Sequence, residues 1–318
     1  MWKQRSRALW LQEGDNNTKF FHSRASHWFR GNQIDALEDP SGEVCMDEDG
    51  ISQILFNYYQ LLFNSSNPCK MEEVVAGVPC SITEEMNEVL NGEYTKEEVV
   101  MALNQMEPLK APSPDGLPPL FFQHYWSSVG VDVTEAVLSC LASGVIPPSI
   151  NQTFITLKSP IKVSEYCPIS LCNIIYKLVS KVIGNRLKGV LPLIILESQS
   201  AFQSDKAIFD NILVAFETLH HMKNQKSKKL GFMALKLDRS KAYNRVEWSF
   251  LEVTMMKMGF DARWVALILS CINLASYSIL VNGVSKGDIR PSRGIRQGDP
   301  LSPYLFLICS EALNCQLQ

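Results

Sequence analysis

The stretch from Gly231 to Trp248, GFMALKLDRSKAYNRVEW, is an apolar run that ends on Asp238. A carboxylate where a buried strand leaves the core is held rigidly from behind yet reaches solvent, which is the situation of a metal ligand. The same residue type in the same place also serves as a turn former or helix cap. A second stretch, Arg290 to Pro303 (RPSRGIRQGDPLSP), is a loop rich in glycine and arginine that leads into an apolar helix. Arg290, Arg293 and Arg296 could neutralise phosphates, and beside Asp288 and Asp299 they could equally form a solvated face. One chemistry that such residues could serve is metal-assisted phosphoryl transfer. That reaction needs two metal ions, and so at least two carboxylates converging from different strands, of which Asp238 supplies one.

Positioning Asp238 requires Phe232–Leu237 to be a strand. Two helices should follow, one on Leu251, Met255 and Met258, the other capped by Asp261 and packed through Trp264, Leu267, Ile268, Cys271 and Ile272. Alternation up to Asn282-Gly283 predicts a hairpin, since both residues of that dipeptide tolerate positive φ. Upstream, Ser81 with Glu84 and Thr95 with Glu98 read as capping boxes of two short helices, the second carrying Val99, Leu103 and Met106. Four prolines make Lys110 to Pro119 a rigid loop. Helices are predicted over Thr134–Ser143, over Leu171–Val190 with Lys177, Lys181 and Lys188 off the apolar stripe, and over Asp210–Lys223 with Ile212, Ala215, Phe216 and Leu219 inward. Asp39–Gly50 reads as turns and an exposed loop, and Asn224–Lys229 as a solvated connector.

These elements predict an α+β fold, and 318 residues with 46% hydrophobic content suffice for packed cores. Three regions are expected: 1–80, basic and aromatic; 81–230, mostly helical; and 231–318, carrying Asp238 and the RQGDPLSP loop. With a net charge of −3, any nucleic-acid contact must come from local basic patches. One such patch is Met1–Arg30, where cations interleave with aromatics in a way that suits either single-strand binding or an amphipathic helix. Nine scattered cysteines without a CxxC pair point to a reduced intracellular compartment, nuclear or cytoplasmic, with no zinc and no disulfide-linked partner. No secretory signal or membrane-length apolar run is present, so neither secretion nor a membrane partner is expected.

DRSKAYNRVEW resembles the first carboxylate motif of non-LTR (LINE-type) reverse transcriptases, and SRGIRQGDPLSP resembles their second. The segments LQEGDNNTKFFH, KAPSPDG, YCPISLCNIIYKLVSKVIGNRLK, ESQSAF, DNILVAFE and SYSILVNG extend the likeness in order along the chain, most closely to plant LINE elements. The resemblance implies right-hand polymerase fingers and an incomplete palm without a thumb, an RNA template, a DNA primer and Mg²⁺. It implies that Asp238 binds metal and that Tyr243 lies under the incoming sugar as a filter against ribonucleotides. Gln297 and Gly298 would touch the nascent base pair, Lys206 would keep a cation near the nucleotide, and Arg290, Arg293 and Arg296 would meet nucleic acid.

Departures from the family pattern set a further expectation. The Phe/Tyr-Ala-Asp-Asp strand does not follow within the chain, Asn244 replaces a usual aspartate, and Cys167 replaces a usual arginine. Asp205 stands for a glycine, Ser113 for another, and the segment FITLKSPIKVSEY lacks an Ile-Pro-Lys. The expectation is a reverse-transcriptase domain fragment, truncated before its remaining carboxylates and inactive alone. The alternatives are a non-catalytic RNA- or DNA-binding remnant and an unexpressed relic of a retroelement.

Overall fold

The computed structural model describes residues 23, 26–27, 33–39, 41–109, 114–157, 162–166, 168–196, 199, 208–224 and 233–317. The cation-aromatic stretch before residue 23, Lys206, Cys167 and the 225–230 connector lie outside them. Strands β1 (Leu37–Glu38) and β2 (Val44–Cys45) pair antiparallel, followed by α1 (Glu48–Leu62) and α2 (Met71–Val75). The segment 39–50 is thus less irregular than expected, because Asp47 caps α1 by accepting from the Gly50 amide.

Helices α3 (Glu84–Asn91), α4 (Lys96–Asn104), α5 (Pro119–His124), α6 (Trp126–Ser143) and α7 (Pro148–Asn151) precede β3 (Gln152–Thr156) and β4 (Ile169–Cys172). The Thr95–Glu98 capping box forms as expected, each residue satisfying the other's amide. At α3 the cap is Thr83 rather than Ser81: its hydroxyl accepts from Met86 N at 3.3 Å, so the helix starts later than the Ser81 box would place it. Helix α8 (Ile174–Ile194) begins after Asn173 caps it, and Leu171 belongs to β4 instead. Its stripe of Ile174, Leu178, Val179, Val182, Ile183 and Leu187 is buried in the larger core, each side chain contributing about 1.5–3 kcal/mol relative to exposure.

Helix α9 (Ile208–Asn224) forms where expected but does not bury its stripe: Ile212, Ala215, Phe216 and Leu219 are exposed, Phe216 at 67%. The predicted strand before Asp238 is likewise absent, since residues 233–239 have no regular structure. A strand needs a neighbour for its amides and carbonyls, and this segment pairs with neither edge of the four-stranded sheet. Helices α10 (Trp248–Met258) and α11 (Ala262–Asn273) bury the side chains expected of them. The hairpin of β5 (Ser276–Val281) and β6 (Val284–Ile289) turns on Asn282 and Gly283 at φ of 51° and 90°.

The sheet runs β4-β3-β5-β6, with β3 parallel to β5 and antiparallel to β4, and β5 antiparallel to β6. On one side Tyr277, Ile279 and Val281 share a core with Ile51, Leu55 and Tyr59 of α1. The other, larger core is built around α8 and includes α12 (Ser302–Leu317). Among the described residues no helix is long and apolar enough to cross a membrane, and the cysteines form no disulfide.

Arg186 locks α8 to the α3–α4 connection. Its guanidinium holds both Glu98 oxygens at 2.7 and 2.9 Å, donates to the carbonyls of Leu90, Gly92 and Glu93, and lies 3.8 Å over the Tyr94 ring. Lysine cannot reproduce that planar fork, so Arg186→Lys should cost about 2–4 kcal/mol in a denaturant titration near neutral pH. For Glu98, burial resists ionisation, and the bonds from Arg186 and the Thr95 amide overcome it, leaving the carboxyl below its ordinary 4.5. A depressed folded value gives stabilisation that is complete above pH 4.5 and lost as pH falls through the folded value. The gap between wild type and Arg186→Lys should therefore narrow in acid, measured as unfolding midpoints across pH.

Candidate functional site

Beyond Asp238 the chain turns through Lys241, at a left-handed φ of 56°, into a single 3₁₀ turn at Tyr243–Arg245. The loop after β6 returns to this turn and is laced to it. Gly294 N donates to Val246 O at 2.7 Å, Ile295 N to Tyr243 O at 2.9 Å, and Trp248 Nε1 to Gly294 O at 2.7 Å. Gly294 has φ of 95°, and a Cβ there would stand 2.9 Å from Asn244 O, so both conformation and space require glycine. Arg293 closes the same seam: its guanidinium pairs with Glu247 at 3.2 Å and donates to Leu62 O at 2.9 Å. Burial resists ionisation of Glu247, but bonds from Ser65, Ser66 and Arg293 hold its carboxyl below the usual value.

Arg296 and Asp299 point inward on either side of Gln297–Gly298. The Arg296 guanidinium donates to Asn151 Oδ1 and lies 4.2 Å over the Tyr176 ring. The Tyr176 hydroxyl donates to Asp299 Oδ2 at 2.7 Å, and Leu301 N donates to Oδ1 at 3.1 Å. Burial pushes the Tyr176 phenol well above its usual range, which keeps the donating proton in place. Ser170 N donates to Gln297 O at 3.0 Å, tying the loop to β4. Gly298, at φ of 105°, takes a conformation that only glycine adopts readily.

The result is a pocket of about 670 Å³ at the junction of α8, the 241–244 turn and the 297–300 loop. Tyr243, Asn244, Gln297 and Gly298 line it, with Lys177 and Lys181 from α8 and Lys241 opposite. The Tyr243 ring stacks on Phe306 of α12, with centroids 4.9 Å apart and planes 15° from parallel, and burial raises its phenol. The expected partners Tyr243, Gln297 and Gly298 are thus brought together. Asp238 is exposed and does not line this pocket. Of the three arginines, Arg290 is exposed beside Asp288 at 3.5 Å, Arg293 is committed to Glu247, and Arg296 is 2% exposed. Arg293 and Arg296, expected to meet phosphates, direct their guanidinium groups into the fold, Arg293 to Glu247 and Leu62 O and Arg296 to Asn151 Oδ1 and the Tyr176 ring. Lys177 and Lys181 announced themselves in the sequence only by standing off the apolar stripe of α8, and nothing marked Tyr176.

Residues 157–318 match the family model described as reverse transcriptase (RNA-dependent DNA polymerase). The chain belongs to that family. It is 29% identical over 320 aligned residues to the transposon TX1 uncharacterized 149 kDa protein of Xenopus laevis, covering 99% of this chain and 24% of that protein. It is 24% identical over 241 residues to the Pol polyprotein of the type-2 retrotransposable element R2DM of Drosophila melanogaster, covering 71% of this chain and 22% of that one. Over 35 residues, 11% of this chain, it is 60% identical to the uncharacterized mitochondrial protein AtMg01250 of Arabidopsis thaliana, of which it covers 29%. The chain therefore spans between a fifth and a third of the length of these relatives.

Reverse transcriptases generally use divalent metal ions. Among the described residues no group of three or more His, Cys, Asp or Glu could hold one. Asp299 is turned into the protein toward Tyr176, so it is no second ligand for Asp238. The donor set among the described residues does not fit a metal pair.

Gly294→Ala should strain the seam between the two reverse-transcriptase segments and cost about 1–3 kcal/mol. Tyr176→Phe should strand a buried carboxylate oxygen on Asp299 and cost about 1–3 kcal/mol. Both are read from urea unfolding midpoints, and an unchanged midpoint for either variant contradicts the corresponding contact.

Proposed function

We propose that this chain is the fingers and first palm part of a reverse transcriptase from a non-LTR retrotransposon of the plant LINE type, and that the pocket at Tyr243 receives the incoming nucleotide. The observation that carries this is the convergence of Tyr243 with Gln297 and Gly298, residues of two separate family motifs, around one cavity of nucleotide size. The names of the amphibian and insect relatives, a transposon protein and a retrotransposable-element polyprotein, support the retroelement origin. In this reading a template RNA and a DNA primer are the partners, and Asp238 would be one ligand of the family's Mg²⁺, in a donor set that the described residues do not complete. Tyr243, backed by Phe306, offers its ring to the sugar and disfavours a 2′-hydroxyl.

The 318 residues contain no Ala-Asp-Asp sequence, and a single motif carboxylate does not hold two metals. Purified chain given Mg²⁺, primer, RNA template and deoxynucleotides should show no extension; incorporation abolished by Asp238→Ala would overturn that. Nucleotide recognition is tested separately by equilibrium titration. The wild type should prefer dGTP over GTP, and Tyr243→Ala should bring the two affinities within about threefold, since the ring's discrimination is steric and worth on the order of 1–2 kcal/mol. Equal affinity of the wild type for both nucleotides would remove Tyr243 as the filter.

A further inference from the structure

Helix α9 is 17 residues long and stands almost wholly in water: from Phe209 to Asn224 every side chain is exposed except Met222, which is half-buried. A helix of that length is marginal when isolated, and the β-branched Ile212, Val214 and Thr218 lower its propensity further. What holds such a helix is the packing of an apolar face. That face is present. Phe209, Ile212, Phe216 and Leu219 follow one another at steps of three, four and three, the spacing of a coiled-coil seam, and Leu213 flanks them. Phe209 is 73% exposed, Phe216 67%, Leu213 58%, Ile212 57% and Leu219 55%. His220 stacks on the Phe216 ring at 6.2 Å and leaves it open to solvent. Asp210 and Glu217 each stand one residue after a phenylalanine of the seam and so fall off it.

We propose that α9 is a self-association surface, pairing antiparallel with α9 of a second copy of this chain about a two-fold axis beside Val214. The seam is its own complement in that orientation. Phe209 of one copy faces Leu219 of the other and Ile212 faces Phe216, so each ring meets an aliphatic side chain, and the two-fold axis repeats both contacts. A parallel pair in register would set ring against ring twice and bring like ends of the two helix dipoles together. Area also fits a second copy. At ~150–250 Å² for a fully exposed aromatic side chain and somewhat less for an aliphatic one, the five residues present roughly 600 Å² of apolar surface. A symmetric pair removes roughly twice that from water, the lower end of the ~1,200–2,000 Å² that specific interfaces bury. The four seam positions carry no charge, which disfavours a nucleic acid as the occupant, and Lys223 at the seam's end can carry its ammonium to solvent along its stem.

The test is sedimentation equilibrium of the full chain from roughly 1 to 200 µM, a range that brackets the affinity of an interface this small. Wild type should show a monomer–dimer equilibrium. Ile212→Glu and Phe216→Lys should each raise the dissociation constant by about tenfold or more, since each places a charge against an apolar side chain of the second copy. Mixing the two variants should restore the dimer, because the antiparallel register sets Glu at 212 of one copy against Lys at 216 of the other and leaves the second contact native. The substituted side chains lie outside both cores, so urea midpoints taken at the lowest concentration should match wild type and show that each variant is folded. A wild type that stays monomeric throughout, or that forms open-ended oligomers, would overturn the pairing. So would dimers that persist in both single variants, which would place the interface elsewhere. Failure of the mixture to dimerise would overturn the antiparallel register.

Discussion

The site depends on a backbone seam, the hydrogen bonds that join Tyr243–Trp248 to Arg293–Ile295 across Gly294. Apart from the 3₁₀ turn at Tyr243–Arg245 and the start of α10 at Trp248, the two stretches have no helix or strand of their own, so without one another many of their amides and carbonyls would be left unpaired. Together they satisfy one another, and Glu247 gathers Ser65, Ser66 and Arg293 around the end of the seam. Because the contact is made mostly by main-chain atoms, it fixes position without using the side chains that face the cavity. Tyr243 and Gln297 are held by their backbones, and both line the cavity.

Behind the seam, a second layer of polar side chains sets the path of Gln297–Gly298. Arg296 reaches Asn151 and Tyr176, while Asp299 takes the Tyr176 hydroxyl, so a buried cation and a buried anion flank the two residues that line the cavity. Both charges are removed from water and would be destabilising alone. Their bonds to Asn151, Tyr176 and the Leu301 amide offset part of that cost, while Arg296 Nε and Nη1 stay buried without a hydrogen-bond partner.

Much of this arrangement was legible in the sequence where the physics is local. The Thr95–Glu98 box, the Asp261 cap, the Asn282-Gly283 turn and the stripe of α8 each carry their own signal, and each formed. What failed to be legible was long-range. MALKLD has the pattern of a strand, but pattern does not supply a neighbour, and Met233 is 89% exposed. The stripe of α9 likewise names a face without naming what covers it. At the site, motif order brought Tyr243, Gln297 and Gly298 together in advance, whereas the inward course of Arg296 depends on Asn151 and Tyr176, which no motif advertised.

The parallel pairing of β3 with β5 carries a kinetic consequence. It matches Gln152–Thr156 with Ser276–Leu280, so a long loop must close before the centre of the sheet exists. The β3–β4 pair and the helical bundle around α8 are joined by nearer neighbours and can assemble earlier. The cavity, built from α8 and from loops on both sides of β5, is therefore a late product of the folding pathway. On a ribosome it cannot take shape until the chain beyond β6 has emerged.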